Sequence, residues 1–61
     1  MTAAERQERM AEAMWRYDHQ AFILQSRNPI TWLDNATGWE HRHYRSLARI
    51  ADEAAQGGRG E

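Results

Sequence analysis

The chain contains no cysteine and no lysine, and only one proline and four glycines among its 61 residues. Without cysteine there is no disulfide and no thiolate metal site, so two of the usual staples of a small domain are absent and oligomerisation remains as the third. The same absence fits a reducing compartment, and a cytoplasmic location is expected. No run of about 18 apolar residues exists, which excludes a transmembrane helix and with it a membrane as partner. The opening residues from Thr2 to Arg9 are too charged for a secretory signal. Without lysine, every one of the eight basic residues is arginine, and the formal charge of −1 gives no global reason to expect nucleic acid.

What is present is mostly helix former. Thr2-Ala3-Ala4-Glu5 has the form of a capping box, and alanine, glutamate, glutamine, arginine and methionine dominate as far as Gln25. Glu5 with Arg9 and Glu12 with Arg16 are correctly oriented i,i+4 pairs, each worth about 0.2–0.5 kcal/mol. A first helix is therefore expected over about residues 3–25. Its apolar residues form more than one ridge. Met10, Met14, Tyr17, Ala21 and Leu24 make a main stripe, while Ala11, Trp15 and Phe22 make a second about 100° round, with Ile23 on yet another side.

Ser26-Arg27-Asn28-Pro29 ends this helix, because proline lacks the amide donor and disfavours the α region for Asn28. A short helical turn is expected over about residues 29–35, with Pro29 at its first position and Asn28 as its cap, and with Ile30, Trp32 and Leu33 plugging one end of the fold. Thr37-Gly38-Trp39-Glu40 repeats the capping-box form and opens a last helix over about residues 38–55. There, Trp39, Ile50, His43, Ala54, Leu47, Ala51 and Tyr44 fall within an arc of about 140°, with Arg42, Arg45 and Arg49 opposite. The expected fold is all-α: an antiparallel helical hairpin, assembling into a helical bundle. Residues 1–56 form one helical domain, and 57–61 are expected to be a disordered tail.

Three residue sets are candidates for function. Glu40 and His43 share the E-x-x-H spacing of ferritin-like metal sites, although the facing helix offers Asp18, His19, Gln20 and Gln25 and no glutamate. The other reading of this pair is a cap at Glu40 and a partly buried histidine at position 43, so no metal or other cofactor is expected. Arg42, Arg45 and Arg49, at i, i+3 and i+7, could follow a phosphate backbone, or could be a solvated face paired within the helix through Glu53. The aromatic residues, three of them tryptophan, suit either a small core or an interaction hot spot. The spare ridge of Trp15, Phe22 and Ala11, joined by Ile23 and Trp32, is the expected interface. No hydroxyl lies in an activating motif, so no catalytic residue and no enzyme activity are expected.

Ala11-Glu12-Ala13 in the opening helix, Trp32 in the middle segment, and Tyr44-Arg45 followed by Ala48-Arg49 in the closing helix resemble small helical proteins encoded by actinobacteria and their phages. The likeness spans residues 10–51 and departs at Phe22 to Asn28, which is more apolar. It implies an origin and assigns no functional residue. Together these features lead to a small protein–protein interaction or regulatory module, expected to form a homodimer or higher homo-oligomer. Nucleic-acid binding and a metal-binding assembly are the alternatives.

Overall fold

The computed structural model describes residues 1–57, in which α1 spans Ala3–Asp18, α2 Gln20–Gln25, α3 Trp32–Asn35 and α4 Gly38–Gly57, with no strand among the described residues. The two long helices run antiparallel: Arg6 near the start of α1 bonds Asp52 near the end of α4, and Tyr44 in the first half of α4 donates to Asp18 at the end of α1. This is the expected all-α hairpin. Gly57 belongs to α4 rather than to a tail, and the rest of the expected tail, 58–61, lies outside the described residues.

Threonine starts each segment that could be read from a cap. Thr2 Oγ1 accepts from the Glu5 amide at 3.1 Å while Glu5 Oε1 accepts from the Thr2 amide at 3.2 Å. Thr37 and Glu40 repeat the exchange at 3.1 and 2.9 Å, which satisfies amides that the first turn of a helix leaves without partners. For α3 the expected cap was Asn28, but Thr31 serves instead: its hydroxyl accepts from Asp34, and Asn35 Oδ1 accepts from the Thr31 amide at 2.8 Å. Asn28 is held back by Ser26, whose hydroxyl donates to its carbonyl at 2.9 Å, so Pro29 stays outside the helix.

The expected continuous helix over 3–25 is broken at His19, whose backbone angles are φ −113° and ψ 19°. Both ring nitrogens of His19 are engaged. Nδ1 lies 2.9 Å from the Trp15 carbonyl and Nε2 lies 3.0 Å from the Glu40 carboxylate on α4. A side chain bonded to the carbonyl one turn back competes with regular helical geometry, and the anchor on α4 fixes the ring in place. The helix restarts at Gln20.

The core is built from Ala11, Trp15, Trp32, Ala36, Tyr44 and Ala48, with Met10, Met14, Ile23 and Ile30 packed against it. Ala11 and Ala48 are both 0% exposed, small side chains that let two helix backbones approach closely. Trp15, Trp32 and Tyr44 fill the space nearer the connecting end, with ring centroids 5.7 Å apart for the two indoles and 6.3 Å for Trp32 and Tyr44. Ala11 and Trp15 were expected on a spare ridge. They are instead among the most enclosed residues of the chain, because α3 folds over them.

The faces of both long helices are turned from expectation accordingly. On α4 the inward line is Tyr44, Ala48 and Asp52, about 100° round from Leu47, while Trp39, Leu47 and Ile50 remain exposed. On α1, Tyr17 is 73% exposed although it belongs to the expected packing stripe. Because Ala48 has no free volume beside it, Ala48→Leu should destabilise the fold by about 1–3 kcal/mol in urea denaturation. Gly38 offers the opposite case. Its φ is not positive and no heavy atom lies within 4 Å of an added Cβ, so Gly38→Ala should raise stability by about 0.4–1 kcal/mol in the same assay.

Candidate interaction surface

Two antiparallel helices leave a groove along each flank, and this chain fills only one. On the α3 flank, the Trp32 indole N–H donates to Glu8 at 2.8 Å and the Trp32 carbonyl lies 2.7 Å from His41 Nε2. Arg45 donates two N–H groups to Glu8, each at 2.8 Å, and its guanidinium sits 5.8 Å from the centre of the Trp32 ring. The bidentate pair and the cation over the indole clamp α3 between the long helices. Arg45 is thereby part of the architecture. Arg42 and Arg49, the other members of the arginine stripe, are exposed.

The opposite flank has no such cover. A groove of about 320 Å³ runs between α1 and α4, lined by Ala13, Met14, Tyr17, Asp18, Tyr44 and Leu47. Beside it on α4 rises a ridge in which the His43 ring stacks on Trp39, centroids 4.7 Å apart and planes 13° from parallel. Ile50 continues the ridge, and Trp39 and Ile50 are each 60% exposed. A contiguous apolar surface of this kind marks an interaction site more often than idle exposure.

The charges bordering this groove are tied within the chain. Arg6 donates to Asp52 through Nε at 2.6 Å and Nη2 at 3.0 Å, and Gln7 adds a third bond at 2.9 Å. These bonds hold the Asp52 carboxyl down at about 2, the Arg6 guanidinium contributing most. At the other end the Tyr44 hydroxyl donates to Asp18 at 2.6 Å, and this bond, aided by burial, pushes the phenol up to about 12. Phe22 is exposed on α2 and Ile23 packs inward, so of the expected interface set only Phe22 remains on the surface as expected.

Glu40 and His43 are drawn to different neighbours. Glu40 accepts from the Thr37 amide and from the Trp15 indole N–H at 3.4 Å, with His19 Nε2 lying 3.0 Å away, and the Thr37 bond is the main reason its carboxyl lies below the usual range. His43 packs on Trp39 and edge-on against Tyr44. Among the described residues no three His, Cys, Asp or Glu side chains are grouped so as to hold a metal ion. Nor is any described helix long and apolar enough to cross a membrane.

The surface residues Tyr17, Trp39, Leu47 and Ile50 were read from the sequence as core. A signal that could have corrected this lies in the charges: acids at Glu8 and Asp52 face bases at Arg45 and Arg6 across the hairpin, and both pairs close only when the alanine faces turn inward. No protein-family model, curated protein or solved structure matches the chain.

The pKa directions fix a stability profile. Asp52, Glu8 and Glu40 are all held below their ordinary values, Glu8 chiefly by Arg45, so their contribution is complete above the unfolded carboxylate range and is lost as pH falls below it, for Asp52 on the way to about 2. Tyr44 is raised, so its contribution is complete below its unfolded value of 10.0 and lost as pH rises toward about 12. Helicity followed by circular dichroism should hold between those limits and fall on both sides. Retention of the full signal at pH 2 would contradict the ion pairs described.

Proposed function

We propose that this chain is a small helical protein–protein interaction module that self-associates, as a homodimer or larger homo-oligomer, through the open groove between α1 and α4. The observation that carries this reading is the uncovered apolar face formed by Met14, Tyr17, Leu47 and the Trp39–Ile50 ridge. Burying a large apolar side chain is worth about 1.5–3 kcal/mol, and these are already half covered, so pairing two such faces gains on the order of 10–15 kcal/mol. Association itself costs about 4–15 kcal/mol. Gain and cost are of similar size, which suits weak, concentration-dependent association.

No cofactor enters this reading, and the module acts in the cytoplasm. A further protein partner would meet the same face, as suits the resemblance to small phage and actinobacterial proteins. Nucleic-acid binding draws support only from Arg42 and Arg49, since Arg45 is engaged by Glu8 and Trp32. Such binding would be steeply salt-dependent.

Sedimentation equilibrium of the natural chain at tens of micromolar should give a mass that rises with concentration toward twice the 7.2 kDa of one chain. Leu47→Glu places a carboxylate in the groove, and should leave a monomer of unchanged helicity. A natural chain that stays monomeric throughout that range overturns the proposal.

A further inference from the structure

Resting on that reading, we infer that the groove is occupied by a second copy of this chain lying with its connecting end over the other's open end. The two copies are related by a two-fold axis in the plane of the interface, perpendicular to the helices. The connecting end is where α1 finishes and α4 begins, and the open end is where Arg6 meets Asp52.

Bulk on the open face is graded along its length. Tyr17 and Trp39, with His43 stacked on the latter, stand at the connecting end. Met14 and Leu47 lie in the middle, and beyond Ile50 the face of α4 carries only Ala51 and Ala54, both exposed. Two symmetric stackings are open to such a face. An axis parallel to the helices would lay α4 over the partner's α1 with connecting ends together, setting Trp39 against the partner's Tyr17 and leaving alanine opposite small residues at the far end. The perpendicular axis lays α4 antiparallel over the partner's α4, and seats Trp39 over the partner's Ala51 and Ala54. Protein interfaces pack at interior density, so large opposite small closes the face where large opposite large holds it apart.

Charge favours the same stacking. Asp18 at the connecting end of α1 is exposed and its bond to Tyr44 occupies one oxygen, Oδ2. Arg6 at the open end of α1 is partly exposed and engages Asp52 through Nε and Nη2, leaving further N–H donors of its five. The perpendicular axis runs α1 antiparallel to the partner's α1 and brings Asp18 level with the partner's Arg6, twice by symmetry. That register also sets Met14 level with the partner's Met10, because both pairs are centred on the same point of α1. Of the residues lining the groove itself Asp18 alone is charged, so a strongly acidic or basic partner would find little to pair with along it.

The absence of cysteine makes the test clean, since one introduced thiol takes one label. A nitroxide on Gln56→Cys, at an exposed position of the open end, reports the distance between the two copies by double electron–electron resonance. With 1.5 Å of rise per residue, the perpendicular axis puts the labels about 30 Å apart along the helices, whereas the parallel axis brings them within about 20 Å. Sedimentation of the labelled protein under the same conditions establishes that it is dimeric. A dimer with the long distance supports the arrangement, a dimer with the short distance overturns it alone, and a monomer overturns the self-association on which it rests.

Discussion

The burial of one indole N–H governs much of this fold. Trp15 is 2% exposed, and its Nε1 has to find an acceptor inside the protein, because an unpaired buried donor costs about 1–3 kcal/mol. The acceptor is Glu40, which could be tolerated so close to the core only because its other oxygen caps the Thr37 amide and His19 approaches from the far side. Three features that look separate along the chain are therefore one unit: the start of α4, the break between α1 and α2, and the orientation of the central tryptophan. Trp32 repeats the solution on its own flank, its N–H going to a carboxylate, Glu8, that Arg45 holds in place.

These non-local bonds decide which way each long helix faces. Judged by apolar bulk, α4 would turn Trp39, Leu47 and Ile50 inward. Doing so would pull Arg45 away from Glu8 and Asp52 away from Arg6 and Gln7, and would leave the Trp15 and Trp32 indoles without acceptors. The observed fold instead buries small alanines and uses tryptophan and tyrosine, whose polar tips all have partners, to fill the wedge between the helices. No buried side-chain nitrogen or oxygen among the described residues lacks a hydrogen bond. Complete polar satisfaction is achieved by leaving large apolar groups outside.

This explains what could be read from the sequence. Helix positions, the capping boxes at Thr2 and Thr37, and the break after Gln25 are set by residues within a few positions of each other, so local pattern sufficed. The interruption at His19 and the inward turn of Ala11, Trp15 and Ala48 depend on partners 21 to 46 positions away along the chain. A helical wheel weights leucine, isoleucine and tryptophan over alanine, and so assigned the exposed arc to the core. It also assigned Trp15 to the surface, although the expectation of surplus apolar area was sound in kind: there is an uncovered ridge, carried by α4 and the outer side of α1.

The surplus follows from the length of the connection. A hairpin of two long helices has two flanks, and of the two short helices between them only α3 supplies a buried tryptophan, enough to close one flank. Among the described residues no further element closes the other, and domains of about 60 residues bury only about 60% of the surface they expose when unfolded. The open groove is thus where the stability of the fold and its capacity to bind meet. Any helical pair that covers Met14, Tyr17 and Leu47 finishes the core as it forms the complex, so association and folding share the same residues. Affinity at this face is then set chiefly by how well the partner completes the core of a small domain, with charge left to choose the orientation, since Arg45, Glu8 and Asp52 are already committed to holding the hairpin together.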